Sequence, residues 1–244
     1  MTDEEIKKKI DLHQKYFKGE PDGECAKFNY EELLYQDFSV FTKNLTGAEF
    51  LLTNLYNANF SNIDLELADF TGANLRCACF YGADLRGADF RGANLQKAFF
   101  RKSKLKGANF YEANLFGADL RNVDLDGVAV HTNTIGYFLA CPSEGAFTAF
   151  KKVQKYIVVL EVPADAKRSS ATTYKCRCDK AKVLRIENLD GTPADVYSVA
   201  SDFDEDFFYT IGETVKVDDF DDDRWNECSR GIHFFIDRAM AVLY

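Results

Sequence analysis

Three histidines serve the whole chain of 244 residues (His13, His131 and His233), which leaves general acid–base catalysis few candidates. The seven cysteines include no Cys-x-x-Cys pair, and an odd number without that spacing reads as the reduced thiols of a cytoplasmic protein. Cys176-Arg177-Cys178 could in principle be joined by Cys141, Cys228 or His233 around zinc. That spacing departs from the usual structural zinc sites, so no metal and no cofactor is expected. No stretch approaches the ~20 apolar residues that span a bilayer, and the charged segment Thr2 to Ile10 is unlike a signal peptide, so no membrane partner is expected. A Gly-rich phosphate loop, a Gly-x-Ser-x-Gly elbow and a His-Glu-x-x-His helix are all missing. These gaps predict a protein that is not an enzyme.

Charge is not scarce, but its placement is restrictive. The formal net charge is −9. Between Leu45 and Leu125 acids and bases balance at nine each, whereas Asp202 to Asp223 holds ten carboxylates against the single base Lys216. Asp219, Asp221 and Asp223 have the first, third and fifth spacing of a calcium loop. Arg224 stands where that loop needs Gly and Arg230 where it needs a bidentate Glu, so an EF-hand is excluded and a solvated acidic loop over 218–223 is expected. Bases elsewhere dot several positions instead of forming one aromatic-lined track, which argues against direct nucleic-acid binding.

What the chain does have is a period of five. Seventeen positions at that spacing, Leu45 to Leu125, are all Leu or Phe, and the residue two places earlier is mostly Ala. The residue between is usually Asn or Asp, as in Ala83-Asp84-Leu85 and Ala93-Asn94-Leu95. Five fits neither the helical nor the strand period, so this is a repeat architecture. Both apolar residues point inward only if the chain turns a corner at every repeat. Four corners close a coil of about twenty residues, stacked at the inter-strand spacing of about 4.8 Å. Leu and Phe alternate from Leu45 to Leu115, which predicts one ladder through Phe50, Phe70, Phe90 and Phe110 and an opposite one through Phe60, Phe80 and Phe100. Such a core is packed, not a pore.

The Ala-(Asn/Asp)-(Leu/Phe)-x-x pattern over 46–128 resembles the pentapeptide-repeat family, which implies a right-handed quadrilateral β-helix. Thr53, Ile63, Ser103 and Val123 depart at the inward Ala, and Glu49, Cys79, Phe99 and Lys104 at the Asn/Asp. Phe99 matters most, because its position faces outward.

The expected organisation is a capping helix and entry coil over 1–44, the β-helix over 45–130, and a small α+β domain over 131–244. Ile6, Ile10 and Phe17 recur at helical spacing before Gly19, and an exposed solenoid end calls for such a cover. Phe28, Leu33 and Phe38 already run in fives, then slip by two residues before Leu45. Beyond Val130 we expect a connector with a short helix near Ala146 to Lys151, strands over 156–162, 181–186, 214–217 and 233–236, and a helix from Arg238 to Tyr244. Pro163 to Thr172 and Trp225 to Phe235 resemble an uncharacterised domain found behind pentapeptide repeats in bacterial and phage proteins.

Gly231-Ile232-His233-Phe234, with Ala239, Ala241 and Tyr244 after it, is also similar to a strand and helix of ADP-ribosyltransferases. That resemblance implies a nucleotide pocket bordered by His233 and by Arg168, Ser169 and Ser170. No Glu is convincingly placed for its catalytic carboxylate, and a buried hairpin edge with a satisfied His explains the same residues. The main expectation is a non-enzymatic scaffold whose walls meet a protein partner through Phe99, Arg101, Tyr111, Phe116 and Arg121. The family resemblance supplies an alternative, since some members mimic duplex DNA and protect gyrase through an acidic, dimerising rod. Balanced charge over the repeats counts against it.

Overall fold

The computed structural model describes residues 1–244 and divides into two units, Met1–Phe138 and Leu139–Tyr244. In the first unit, helix α1 (Asp3–Lys18) opens on a capping box in which Thr2 and Glu5 satisfy each other's backbone N–H groups. It ends on Gly19 at φ 66°, in the left-handed conformation that lets glycine close a helix. Ile6, Ile10 and His13 are its buried residues. The His13 Nδ1 accepts the Ala26 N–H at 3.1 Å, and Lys9 Nζ reaches the Lys27 carbonyl at 2.7 Å.

The five-residue pattern becomes a β-solenoid. Parallel bridges join residues twenty apart, Asp64 to Asp84, Asn74 to Asn94 and so on, so four repeats complete one turn. Within each repeat one hydrogen bond closes a tight turn, as from Ala48 N–H to the Leu45 carbonyl at 3.0 Å. The third residue of that turn must take positive φ. From Gly47 to Gly127 every such position does, whether glycine or not, between 51° at Leu52 and 74° at Gly107. The Asn or Asp after each inward Ala also shapes the corner, because its side chain accepts the N–H two residues on, as Asp69 does from Thr71 at 2.8 Å. That Asx geometry preorganises the turn.

Both phenylalanine ladders form. Phe50, Phe70, Phe90 and Phe110 stack at centroid spacings of 4.9, 5.1 and 4.9 Å. Phe60, Phe80 and Phe100 stack at 5.3 and 5.1 Å. Across the core the two ladders meet edge to face, for example Phe70 on Phe80 at 5.7 Å. Phe28 and Phe38 extend them, stacking on Phe50 at 5.0 Å and on Phe60 at 4.7 Å. The two-residue slip is absorbed by a 3-10 turn over Phe38–Val40, and the bridges before it are spaced by twenty-two residues, Lys27 to Glu49 being the first. The ladder runs on to Ile135, which bridges Asn114.

The second unit is α+β. Its strands are β1 (Phe147–Val153), β2 (Tyr156–Val162), β3 (Arg168–Ser170), β4 (Cys176–Cys178), β5 (Lys180–Asn188), β6 (Ser198–Ala200), β7 (Phe208–Thr210), β8 (Thr214–Lys216) and β9 (Ile232–Phe234), followed by α2 (Arg238–Leu243). They pair as β1-β2-β5-β8, β3-β4-β9 and β6-β7, all antiparallel. The continuous apolar run of β2 is explained by burial on both faces. Val158, Leu160 and Val162 enter the main core, while Ile157 and Val159 pack with Phe235 and Ala241 on the α2 side.

One expectation is corrected here. Of residues 146–151, expected as helix, 147–151 lie in strand β1. Ala and paired Lys favour helix locally, but β2 supplies a full ladder from Phe147–Val162 to Val153–Tyr156. The hairpin turns on Gln154-Lys155, with Gln154 at φ 55°, and neither residue is a customary turn signal.

Candidate functional site

Two surfaces compete, one on the solenoid and one in the second unit. On the solenoid, Arg101 and Arg121 are twenty residues apart and therefore stack on one wall, with Asp119 between their guanidinium groups: Arg101 Nε lies at 3.5 Å and Arg121 Nη2 at 2.5 Å from its Oδ2. Those hydrogen bonds and both cations hold the Asp119 carboxyl below its ordinary value although burial opposes them. Phe99 bridges Asp119 in the ladder and is 49% exposed, so it belongs to the same wall. Tyr111 does not. It sits half a coil from Arg101, exposed, with its ring 4.6 Å from that of His131. Phe116 is half-buried a quarter-coil further on. Three of the five expected contact residues thus share a face.

The same register shows what sequence reasoning missed. Tyr30, Tyr35, Leu52 and Leu67 are 68, 66, 55 and 64% exposed, and all four occupy corner positions at φ 63°, 60°, 51° and 59°. The Tyr30 N–H donates to the Leu51 carbonyl and the Tyr35 N–H to that of Tyr56, which places them on the coil next to the one carrying Leu52. The Tyr35 and Tyr56 rings meet edge to face at 5.4 Å. The signal was present in the sequence as large apolar residues in a slot that elsewhere holds mostly Gly or Asn, otherwise Cys77, Lys97, Lys102 and Glu112.

In the second unit, β3, β4 and β9 bring Ser169, Arg177 and His233 into register across one sheet, with Arg177 between the other two. Arg168 turns elsewhere: its guanidinium binds the carbonyls of Gly145, Pro163 and Ala164 at 2.9, 2.9 and 2.8 Å and stands 5.2 Å over the Phe147 ring. Ser170 Oγ accepts the Ala140 N–H at 2.8 Å, and Ser169 is buried. Of the four expected pocket residues only His233 lines the large cleft of this unit, a space of about 1020 Å³ shared with Lys151, Lys175, Tyr209, Cys228 and Tyr244. No group of three or more His, Cys, Asp or Glu side chains is placed to hold a metal ion.

His233 Nε2 faces the Glu227 carbonyl at 3.1 Å. Burial, then Lys175 and Lys151, pull its pKa from 6.5 down to about 4. The unfolded chain therefore binds the extra proton first as pH falls from 6.5 towards 4, and stability is lost across that window. His233→Gln should remove this component: measured by urea unfolding, the variant should gain on the order of 2–3 kcal/mol relative to wild type between neutral pH and pH ~4. A constant difference at all pH values would contradict the assignment.

A corner repeated every five residues with an Ala/Leu/Phe interior defines a β-solenoid repeat protein. Residues 48–87 and 83–122 match the model of the pentapeptide repeats, eight copies in all, and residues 137–241 match a family of unknown function, DUF5758. The chain is therefore a pentapeptide-repeat protein carrying a DUF5758 domain. No curated protein matches it. Among solved structures it is similar to the pentapeptide-repeat protein Rfr23 from the cyanobacterium Cyanothece 51142, at 28% identity over 45% of this chain and 88% of that one, with a TM-score of 0.41. HetL, involved in heterocyst differentiation regulation in Nostoc sp. strain PCC 7120, is 25% identical over 49% of this chain and 68% of its own, at a TM-score of 0.22. A trypsin-treated form of QnrB1, a plasmid-mediated fluoroquinolone resistance protein, is 22% identical over 43% of this chain and 83% of its own, at a TM-score of 0.18. No helix is long and apolar enough to cross a membrane.

Proposed function

We propose that the chain is a non-enzymatic, cytoplasmic interaction module. Its repeats over 45–130, a right-handed quadrilateral β-helix capped by α1, present their walls to a protein partner, and the α+β domain over 131–244 follows them. The carrying observation is the set of exposed Tyr30, Tyr35, Leu52 and Leu67 at three successive corners of the first coils. A left-handed backbone costs a residue other than glycine about 1–2 kcal/mol. Asn or Gly at these corners would remove that cost, and bulky apolar side chains there are what a partner surface would use. Leu34, 43% exposed, and half-buried Tyr56 adjoin them, and Phe99, Arg101 and Arg121 offer a second contact region.

A DNA-mimicking rod would need uncompensated carboxylates. Here Glu49 pairs with Lys27, Glu66 and Asp84 with Arg86, Asp89 with Arg91, and Asp119 with Arg121. That pairing favours the protein-contact reading over mimicry.

Asn at Tyr35 and Leu52 separates function from folding. Tyr35→Asn with Leu52→Asn should leave the melting temperature unchanged or higher, because Asn tolerates the left-handed corner. The same pair should strip away a protein that wild type retains in affinity capture and that cross-links back to these coils. Equal retention by the double variant, or a large loss of its stability, would overturn the proposal.

A further inference from the structure

The cleft of the second unit holds two amines that no ion pair engages. This unit is rich in carboxylates, and five of its cations form ion pairs with them: Lys167 with Asp222, Lys180 with Asp165, Arg185 and Arg238 with Glu187, and Arg230 with Asp219. Lys151 and Lys175 do not. Lys151 Nζ donates to the His233 carbonyl at 3.3 Å; Lys175 Nζ donates to the Tyr244 hydroxyl at 3.1 Å and lies 3.6 Å from Cys228 Sγ. Each amine also stands over an aromatic face, Lys151 at 5.7 Å from the Tyr209 ring and Lys175 at 5.2 Å from the Tyr244 ring.

The electrostatics agree with the geometry. Burial lowers the Lys151 amine from 10.5 to about 8, Lys175 lowers it further, and Asp202 pulls the other way. Asp202 and Asp204 also line the cleft, the Asp202 carboxylate being engaged by the Gln154 N–H at 3.0 Å. Burial opposes the charge of Lys175 as well, but the Tyr244 hydroxyl, Cys228 and Glu227 hold its amine above the ordinary value, so it stays a cation. An anion entering between two half-buried amines that no ion pair engages lowers the energy of the cleft. One carboxylate would balance only one amine. A phosphate monoester carries about −1.5 to −2 near neutral pH and balances both. The aromatic walls and the volume of about 1020 Å³ leave room for an attached ring.

We propose that this cleft binds a phosphorylated, ring-bearing small molecule of the nucleoside monophosphate kind, its phosphate between Lys151 and Lys175 and its ring against Tyr209 and Tyr244. Neither the repeats nor the proposed partner surface enters this inference, so the two stand or fall separately.

Pyridoxal phosphate is a suitable probe on the full chain. Its aldehyde condenses with an unprotonated amine, releasing water, and borohydride then reduces the imine to a stable secondary amine that peptide mapping locates. Near pH 8, where Lys151 is about half unprotonated, the label should concentrate on Lys151 or Lys175. Pyridoxal lacks the phosphate, and its free hydroxymethyl group closes on the aldehyde as a cyclic hemiacetal that slows it towards every amine, so each rate is divided by that reagent's rate with Nα-acetyl-lysine. After that division pyridoxal phosphate should still be favoured on that lysine at least about ten-fold, a difference that isolates phosphate binding. AMP should protect and adenosine should not. Lys175→Gln should bring the two rates on Lys151, so normalised, together without lowering the melting temperature. Equal normalised rates for the two aldehydes on wild type, label spread over the surface lysines, or no protection by AMP would each overturn the proposal.

Discussion

Phe70→Ala is expected to destabilise the solenoid by roughly 3–5 kcal/mol, the range for deleting a fully buried aromatic whose cavity cannot collapse. Phe70 is 0% exposed and touches four other rings. It stacks on Phe50 at 4.9 Å and Phe90 at 5.1 Å, and meets Phe60 and Phe80 edge-on at 5.6 and 5.7 Å. Relaxation is blocked because each neighbour is fixed by a backbone ladder: Phe70 N–H donates to the Asp89 carbonyl at 2.8 Å, and the next repeats repeat the bond. Phe28, at the beginning of its ladder, stacks on one side only, so Phe28→Ala should cost less than the same change at Phe70. Urea unfolding of the two variants checks both statements. A loss below about 1 kcal/mol at Phe70 would mean that the rings do not carry the core.

The repeat was legible because its physics is local and periodic. One small and one large inward residue per five, with an Asx side chain closing the corner, recur often enough that single departures do not hide the period. Phe28 and Phe38 were legible for the same reason, even across the slip that the 3-10 turn absorbs. The second unit was less so. Strand β1 reads as helix because its ladder comes from β2, across a Gln154-Lys155 turn whose left-handed residue is not one that signals it. Strands β3, β4, β6 and β7 are three residues each, too short to display a period.

The candidate sites divide along the same line. Phe99 stood out as a broken repeat, and the ladder puts it on the wall of Arg101 and Arg121. Tyr111 lies on the other side, as the period itself requires, ten residues of a twenty-residue coil from Arg101. Tyr30, Tyr35, Leu52 and Leu67 were visible as letters but not as strain, because only the corner geometry turns a tyrosine in that slot into an anomaly. In the cleft, Lys151 and Lys175 lie on β1 and just before β4, and no spacing in the sequence links them.

Arg177 shows how far a residue without a motif can matter. It is 1% exposed, the largest fully buried side chain of the protein, and its guanidinium donates to the carbonyls of Asp221, Asp223 and Arg230. The Phe220 ring covers it at 5.1 Å. Gly231, at φ 151°, allows this closure, since a Cβ there would lie 3.2 Å from both Arg177 Cβ and Phe220 Cδ2. Burial lowers the guanidinium pKa while Asp221, Asp223 and Asp222 oppose the shift, so the acidic loop both surrounds the cation and is held by it. Arg177→Met should remove that hold. Breaking a buried charge network by deleting one partner costs roughly 3–5 kcal/mol, and here three carbonyls lose their donor and the neighbouring carboxylates lose their cation. Arg177→Lys should recover only a small part, because one ammonium cannot span carbonyls that a planar fork reaches. Hydrogen exchange should report faster opening of residues 219–232 in both variants, with the solenoid amides unchanged. If Arg177→Met melts like wild type and residues 219–232 stay protected, the acidic loop is held by its own turns and not by the guanidinium.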